Sequence, residues 1–453
     1  MTAAIWRLLG GILGIFYRVE RIGGGVPDGP VLLVANHANG LLDPVIVARA
    51  LRRPPRFLAK STLFSMPVVG WFVRTLGSIP VYRRQDQGVD TARNDEMFVA
   101  VRQALREGGA ICLFPEGLSH SSGRLEPLKT GAARIALGAA AEGTPVQVVP
   151  VGLNFAAKQT FRSTALTALG PPISPAPWLP AFAVEPGEAV RGFTDEIAVH
   201  LRDVLIEADP VSEADLVARV DRVYTAARGL FRDPAAVLVR RRAIADGIRG
   251  LRARDPERFA AVYEQLQRYE QQRARFGLRE HALLQRVPLG AVLRFVVREV
   301  TFALALLPLA VLGVLCYLVP FQAVRLVTER VRVSLDQAAT FKIAASLVIY
   351  GAWIGACTGL AWHWRGAPTG LLAGTLLLVL APTALLAVER LMAVWGIIHG
   401  WAASLLTRDQ VEAGLLRHRA ALADLLDETY RWVRAAPGAE PRSRAGPGVT
   451  RKS

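Results

Sequence analysis

The charged residues of this 453-residue chain are distributed so unevenly that they limit what the chain can fold into. Residues 300–406 contain few charged side chains, whereas residues 186–299 are crowded with arginine. Long apolar stretches are typical of segments that cross a bilayer, because a charge inside the bilayer is costly. We therefore expect a water-exposed part and a membrane part in one chain.

Three apolar segments approach or reach the ~20 residues that a helix needs to span a bilayer, and they lie at 302–319, 343–362 and 370–388. The stretch at 391–406 is also apolar, but Glu389 and Arg390 separate it from the third segment, which leaves a fourth pass open. The sequence therefore predicts a transmembrane region at 300–406, followed by an amphipathic helix at 407–435 and a disordered tail at 436–453.

The composition favours a lipid partner over nucleic acid. The chain has 54 Lys and Arg against 38 Asp and Glu, and its net charge of +16 is typical of proteins that bind nucleic acid or an anionic membrane. No helix-turn-helix, zinc or ribonucleoprotein motif accompanies this charge. The cysteines at 112, 316 and 357 are too scattered for a disulfide framework or a metal site, so we expect a reducing, cytoplasmic setting and no metal.

The first part of the chain alternates between strand and helix patterns. Short apolar runs bounded by turn residues predict buried strands at 31–35, 110–114 and 146–151. Helical patterns fall between them, at 89–107 and 129–141. This alternation predicts an α/β domain over 25–175, with a sheet flanked by helices.

Helical segments are predicted on both sides of this domain. Residues 1–24 begin with an apolar run about half as long as a membrane span, which we interpret as an interfacial helix. Residues 176–299 begin with a Pro-rich linker and continue as amphipathic helices. Six arginines of this region form either a solvated helical face or a surface for anionic lipid headgroups, and they are Arg240, Arg241, Arg242, Arg249, Arg252 and Arg254.

The first block with chemical character runs from Asn36 to Pro44, directly after the first predicted strand. A side chain such as His37 that follows the carboxyl end of a buried strand faces the crevice where α/β sheets bind ligands. Asp43 can hold one nitrogen of the imidazole and leave the other as a base. The structural alternative is that Asp43 only caps a helix that begins at Pro44 and that His37 is a loop residue.

Three further blocks lie at 77–84, at 114–120 together with 127–131, and at 148–154. Arg83 ends an apolar strand and suits a phosphate, although an arginine in this place is more often solvated. Glu116 and Gly117 leave the second predicted strand, where glycine permits close approach of a substrate, and a plain turn is the alternative. Lys129 precedes a helix and can attract a phosphate to the helix amino terminus. The fourth block, 148–154, is a buried strand with a proline.

The order and spacing of these four blocks resemble the glycerolipid acyltransferase superfamily, which includes the 1-acylglycerol-3-phosphate and glycerol-3-phosphate acyltransferases. The resemblance covers about 25–175. The sequence motifs FPEGLSH, PLKTGAARIAL, VPVGLN and FRS are most similar to those of the branch with the fungal-type glycerol-3-phosphate/dihydroxyacetone-phosphate acyltransferases. That branch also places membrane segments after the catalytic domain.

The resemblance implies a role for each matching residue. His37 is the general base and Asp43 its orienting partner, while Arg83, Glu116, Gly117 and Lys129 hold the glycerol phosphate of the acceptor. The implied reaction moves a fatty acyl group from acyl-CoA or acyl-carrier protein to a hydroxyl of glycerol 3-phosphate or 1-acylglycerol 3-phosphate, in phospholipid biosynthesis. It implies no cofactor, no metal and no acyl-enzyme, and an integral membrane protein whose catalytic domain lies on the cytoplasmic face.

Two departures from the family pattern bear on this interpretation. Five residues rather than four separate His37 from Asp43, and the usual Glu-Gly-Thr-Arg is here Glu-Gly-Leu-Ser at 116–119. Arg124, or Arg83 with its neighbour, can supply the charge of the missing arginine. Alternative functions are acylation of dihydroxyacetone phosphate or another lysophospholipid, and a membrane scaffold that binds lipid without turnover.

Overall fold

The structure of the protein is a computed structural model. It describes residues 2–51, 54–82, 94–120, 124–155, 158, 160–207, 211–230, 234–275, 289–331, 338–406 and 409–435.

A seven-stranded mixed sheet forms the first part of the molecule. In chain order its strands are β1 (Tyr17–Gly23), β2 (Val31–Ala35), β3 (Arg56–Lys60), β4 (Ile79–Val81), β5 (Ala110–Leu113), β6 (Gln147–Phe155) and β7 (Ser163–Leu169). They lie side by side in the order β1-β7-β6-β2-β5-β3-β4. All neighbours are parallel except β6 and β7, which run antiparallel. The predicted mixed sheet with flanking helices is confirmed.

The α-helices are α1 (Thr2–Phe16), α2 (Leu42–Ala50), α3 (Pro67–Thr75), α4 (Asn94–Arg106), α5 (Gly131–Ala141), α6 (Leu179–Val184), α7 (Pro186–Asp203), α8 (Val211–Arg228), α9 (Pro234–Arg254), α10 (Pro256–Arg275), α11 (Leu289–Arg330), α12 (Ala338–Arg365), α13 (Ala367–Leu406) and α14 (Asp409–Ala435). In the described parts of the chain, short 3₁₀ turns lie at Ser61–Ser65 and Ala176–Trp178.

Strand β2 lies at the centre of the sheet and is buried on both faces. Successive side chains of a strand point to opposite faces, so Leu32 and Val34 pack into one core cluster and Val31 and Leu33 into the other. A strand that is covered on both sides reads as a continuous apolar run, which is why the pattern at 31–35 predicted it correctly.

The amino-terminal segment corrects one prediction. Helix α1 ends at Phe16, and the residues that follow form β1, which pairs in parallel with β7 at the edge of the sheet. The prediction of a helix over 1–24 is therefore wrong after Phe16. One face of α1 packs into the core through Trp6 and Leu13, while Leu8 and Ile15 stay exposed. Its placement at a membrane interface stays a prediction.

The segment after residue 175 corrects a second prediction, the end of the α/β domain. Helix α7 packs against the sheet, and its side chains Phe193, Ile197 and Leu201 are buried in the same core cluster as Leu32 and Val34. The predicted end of the α/β domain at 175 is therefore too early, because α7, which lies in the region predicted as a linker followed by amphipathic helices, belongs to the same core. The apolar residues of α7 recur at the helical spacing of three to four residues, which places them on one face.

A second unit consists of α8, α9, α10 and α14, whose apolar side chains form a separate cluster that includes Val220, Tyr269 and Leu422. The predicted amphipathic helix at 407–435 corresponds to α14 and joins this bundle. Most of the predicted arginine cluster is engaged in ion pairs: Arg240 and Arg241 with Asp221, Arg242 with Asp203, Arg249 with Glu207 and Asp246, and Arg252 with Glu213. These pairs favour a role in joining helices over a solvated face.

Three helical stretches are long and apolar enough to cross a membrane within the described parts of the chain, and they are Leu307–Arg330, Ala338–Arg365 and Ala367–Val388. The three predicted segments are thereby confirmed. The stretch at 391–406 continues α13 without a break, so the charged residues at 389 and 390 do not end a helix. The predicted disordered tail at 436–453 lies outside the described residues.

Candidate active site

His37 lies two residues after the end of β2, at the carboxyl edge of the sheet. Strands β2 and β5 are parallel neighbours, so the loops after both strands leave the same edge. The backbone amide of His120 donates to the carbonyl of His37 over 3.1 Å and joins these two loops directly. The first and third predicted blocks therefore meet in space, as expected for a site at the strand ends of an α/β sheet.

The Nδ1 atom of His37 lies 2.9 Å from Oδ2 of Asp43. The Asp43 side chain is completely buried, and Oδ2 also accepts the backbone N–H of Asn39 over 2.7 Å. Asp43 is the second residue of α2, and no side-chain hydrogen bond caps this helix at Leu41. The carboxylate is thus directed to the histidine, and the alternative of a simple helix cap is not what the structure shows.

The extra residue between His37 and Asp43 is accommodated by the turn that precedes α2. Gly40 adopts a left-handed conformation with φ of +49°, which glycine enters without the steric penalty of a Cβ atom. The amide of Asp43 then donates to the carbonyl of Gly40 over 3.4 Å. The five-residue spacing therefore still brings the carboxylate to the imidazole.

Two contacts hold the imidazole in place. Asp43 accepts the proton on Nδ1, which leaves Nε2 as the nitrogen with a free electron pair. The ring stacks on Phe114, with centroids 4.2 Å apart and an interplanar angle of 17°. The His37 side chain keeps 21% of its surface exposed, so a substrate can reach it.

Glu116 joins three segments of the site. Its Oε1 atom accepts the backbone N–H of His37 over 2.7 Å, and its Oε2 atom accepts the N–H of Glu126 over 2.9 Å. Oε2 also contacts Nε2 of His120 in a short hydrogen bond, which raises the pKa of His120 above its usual value. The Glu116 side chain is 1% exposed, so in this structure its carboxylate bonds protein groups.

Gly117 and Lys129 lie against each other. Gly117 has a φ of +78°, and a Cβ atom there would come within 2.7 Å of Nζ of Lys129. The backbone amide of Lys129 donates to the carbonyl of Pro115 over 2.8 Å, which fixes the end of the loop just before α5 begins at Gly131. Glycine thus lets the lysine amine lie close to the loop that carries Glu116.

Two buried side chains support the loop that carries His37. The Nδ2 atom of Asn39 donates to the hydroxyl of Tyr17 over 2.9 Å, and that hydroxyl donates in turn to the carbonyl of Lys158. Burial raises the pKa of Tyr17 well above its usual value, so the phenol stays protonated as a donor. Strand β1 is therefore linked to the candidate base by three hydrogen bonds in series, between Tyr17 and Asn39, between Asn39 and Asp43, and between Asp43 and His37.

Of the six site residues predicted from the sequence, the structure connects His37, Asp43 and Glu116 by hydrogen bonds and places Gly117 against Lys129. Arg83 lies outside the described residues. Arg124 is exposed and follows the third block. In the described parts of the chain, no group of three or more His, Cys, Asp or Glu side chains is arranged to hold a metal ion.

A sequence model of the Acyltransferase family matches residues 18–154, which hold β2 to β5, nearly all of β1 and β6, and all of the contacts above except those of Tyr17. The chain contains an acyltransferase domain. The resemblance predicted from the four blocks is thereby confirmed.

Relatives of the acyltransferase domain include fungal and algal enzymes. An uncharacterized acyltransferase of Schizosaccharomyces pombe is 26% identical over 368 residues, 61% of this chain and 54% of the relative. Glycerol-3-phosphate O-acyltransferase 2 of Saccharomyces cerevisiae is 30% identical over 195 residues, 42% of this chain and 26% of the relative. A 1-acyl-sn-glycerol-3-phosphate acyltransferase of Chlamydomonas reinhardtii is 31% identical over 140 residues, 30% of this chain and 40% of the relative. The chain thus spans about half or less of these relatives.

Three residues around the candidate site were not predicted from the sequence, namely Tyr17, Asn39 and His120. Asn39 and His120 lie inside the first and third blocks, so their motifs contained the signal. No sequence signal marked Tyr17, because it lies outside every block and comes near the site only when β1 has paired with β7.

Proposed function

We propose that the protein is a membrane-bound O-acyltransferase that moves a fatty acyl group from an acyl thioester to a hydroxyl of a glycerol phosphate. The observation that carries this proposal is the bond between His37 and the buried carboxylate of Asp43 at the carboxyl end of β2. A neutral imidazole that is oriented by a carboxylate and reachable from outside is suited to general-base catalysis.

In the proposed reaction, Nε2 of His37 takes the proton of the acceptor hydroxyl while its oxygen attacks the thioester carbonyl. The new C–O bond forms, the C–S bond breaks, and the proton on His37 passes to the leaving thiolate. Asp43 stabilises the imidazolium that exists between these two proton transfers. A general base of this kind contributes about 10²–10⁴-fold to the rate.

The acceptor phosphate is proposed to bind beside Gly117, Lys129 and Arg83. The Lys129 amine lies next to Gly117, and Lys129 comes two residues before α5, whose amino-terminal amides add positive potential. Glu116 acts mainly through its protein contacts, by holding the His37 backbone and the loop up to Glu126. A contact of Glu116 with the glycerol hydroxyls remains part of the prediction.

Membrane lipids are the proposed surroundings of this reaction. Among the described residues, three helical stretches long and apolar enough to span a bilayer follow the acyltransferase domain, and a fatty acyl product partitions into the same bilayer. We place the acyltransferase domain on the cytoplasmic face, with acyl-CoA or acyl-carrier protein as donor. No nucleic acid is proposed as a partner.

Glycerol 3-phosphate and 1-acylglycerol 3-phosphate are the two proposed acceptors. The Saccharomyces cerevisiae relative is named for the first and the Chlamydomonas reinhardtii relative for the second. Dihydroxyacetone phosphate and other lysophospholipids are further candidates, because one fold serves several acceptors.

Release of the thiol from palmitoyl-CoA tests the proposal directly. The purified protein in detergent is supplied with glycerol 3-phosphate, dihydroxyacetone phosphate or 1-acylglycerol 3-phosphate, and the His37→Ala protein serves as the blank. We expect release that depends on one acceptor and falls about 10²-fold or more in the variant. Equal release by both proteins would contradict the role of His37, and silence with acyl-CoA and acyl-carrier protein alike would favour a scaffold.

A further inference from the structure

The fourth block of the sequence ends with two residues that the proposed reaction does not use, Gly152 and Asn154. Both lie on β6, and because residues alternate along a strand, positions 152 and 154 face the same side of the sheet. A Cβ atom at 152 would come within 2.0 Å of the carbonyl oxygen of Val204, so a side chain does not fit there. The backbone at Val204 therefore lies directly against β6.

Asn154 fixes the chain beyond this contact. Its Nδ2 atom donates to the carbonyl of Val204 over 3.0 Å, and its Oδ1 atom accepts the backbone N–H of Ile206 over 2.7 Å. Residues 204–207, which we call the support segment, follow the end of α7 at Asp203. A buried side-chain amide that bonds both a donor and an acceptor of the backbone holds such a segment in one place.

The support segment reaches the candidate active site through Glu207. Its Oε1 atom accepts the backbone N–H of Leu125 over 3.1 Å. The next amide along the chain, that of Glu126, donates to Oε2 of Glu116 over 2.9 Å. Two consecutive amides of this loop thus bond two different carboxylates, one from the support segment and one from the loop that also holds the candidate base.

Residues 125–129, which we call the acceptor loop, end at Lys129. The backbone amide of Lys129 donates to the carbonyl of Pro115 over 2.8 Å, and the Leu125 side chain is buried in the core cluster of β2. The loop is therefore held by a hydrogen bond at its first, second and last residue. Because it is only five residues long, the place of the lysine depends on these bonds.

Helix α9 holds the support segment from the other side. The Glu207 side chain is 12% exposed, and its Oε2 atom lies 3.7 Å from Nη1 of Arg249. At the other end, Nη2 of Arg242 bonds Oδ1 of Asp203 over 2.9 Å. A carboxylate that is nearly buried is costly without an opposite charge, so Arg249 helps to keep Glu207 in this place.

We propose that Glu207 is a positioning residue for the acceptor, because it holds the acceptor loop so that Lys129 lies where the acceptor phosphate binds. Asn154 acts through Glu207 by fixing the support segment. This inference rests on the proposed function, which assigns the phosphate to Lys129. The end of the fourth block and helix α9 thereby serve acceptor binding and not the proton transfer at His37.

Hydrogen exchange of the full-length protein in detergent tests the contact without any substrate. Mass spectrometry compares peptides that cover 125–129 in the parent, Glu207→Ala and Glu207→Gln proteins. Glu207→Ala leaves the Leu125 amide without its acceptor, so we expect exchange in these peptides to become about tenfold faster. Glu207→Gln keeps a carbonyl oxygen and should exchange like the parent, as should Glu188→Ala, a change at an exposed residue of α7. Equal exchange in the parent and Glu207→Ala would overturn the proposal.

Steady-state thiol release from palmitoyl-CoA tests the consequence of this contact for the acceptor. In Glu207→Ala we expect the KM for the phosphate acceptor to rise about threefold to tenfold, the usual worth of one hydrogen bond, while kcat and the KM for palmitoyl-CoA stay within about twofold. Loss of folding alone lowers the melting temperature and the active fraction but not this KM, so an unchanged acceptor KM would overturn the proposal. A parent without turnover would contradict the proposed function instead, and hydrogen exchange would still decide whether Glu207 holds the loop.

A double-variant cycle tests whether Asn154 acts through Glu207. Asn154→Ala removes both bonds to the support segment, so its acceptor KM should rise as in Glu207→Ala. The double variant should have an acceptor KM within about twofold of the higher single value, because independent effects multiply and effects through one contact do not. Multiplied effects would overturn the role of Asn154. Asn154→Asp, which keeps an acceptor for the Ile206 amide, replaces Asn154→Ala in the cycle if that protein does not fold.

Discussion

The Oε1 atom of Glu116 accepts a hydrogen bond from the backbone amide of His37 over 2.7 Å, across 79 residues of sequence. Through this bond, the loop after β5 holds the loop after β2 that carries the candidate base. The carboxylate of Asp43 fixes the imidazole from the other side. The two acidic residues therefore position one histidine, one through its backbone and one through its ring.

Replacement of Glu116 by alanine removes the acceptor of the His37 amide. We expect kcat to fall about 10²-fold, because a displacement of ~1 Å in a reacting group has an effect of that size. The Glu116→Gln protein keeps a carbonyl oxygen for the His37 amide and should retain more activity than Glu116→Ala. Steady-state kinetics of thiol release on both proteins checks this order, and equal losses would show that the charge matters more than the backbone bond.

An Asp43→Asn substitution isolates the charge of the candidate dyad. Oδ1 of Asp43 has no partner among the described residues, so an amide nitrogen can take its place while the other oxygen still accepts from His37 and Asn39. The loss of the charge that stabilises the imidazolium should lower kcat about tenfold to 10³-fold. Asp28 is exposed, and the Asp28→Asn protein should keep the parent kcat.

Gly117→Ala tests the contact between Gly117 and Lys129. Gly143 has a similar φ, +84° against +78°, but nothing lies within 4 Å of a Cβ atom built there. Both alanine variants should lose about 1–2 kcal/mol of stability, the cost of a left-handed backbone. Only Gly117→Ala displaces the Lys129 amine, so we expect its KM for the phosphate acceptor to rise about tenfold. Equal KM values in both variants would argue against an acceptor phosphate beside Lys129.

The bond between His120 and Glu116 predicts a pH dependence of stability. Glu116 raises the pKa of His120 in the folded protein above its usual value of about 6.5. The bond therefore contributes fully below pH ~6.5, and its contribution is lost as the pH rises through the raised pKa. We expect the melting temperature to fall over this range in the parent and in a His200→Gln control. The His120→Gln protein should lack that part of the slope, and an unchanged slope would contradict the prediction.

The blocks that the sequence identified correctly share one physical property. Strands β2, β5 and β6 are buried on both faces, so each appears as a short apolar run bounded by turn residues. The candidate site residues His37 and Glu116 come shortly after such runs, which makes them easy to find. Their separate blocks also carry the resemblance to acyltransferases.

The elements that were missed have no such local signal. Strand β1 contains two arginines and a glutamate and lies at the sheet edge, and only its residues Tyr17 and Ile22 are buried. Strand β3 is only partly buried. Helix α7 has the apolar stripe of an amphipathic helix, but its sequence does not say which core receives that stripe. Pairing and packing partners are long-range properties that local patterns do not contain.

The sequence alone determined the candidate membrane-spanning segments, the strand–helix alternation and the four blocks, because each depends on the order of residues along a short stretch. Only the tertiary structure decided that Asp43 bonds His37, that Glu116 holds its backbone and that Tyr17 supports the loop through Asn39. It also decided that most of the arginine cluster joins helices and that α14 returns to join the bundle. These relationships link residues that are close only after the sheet and the bundle have formed.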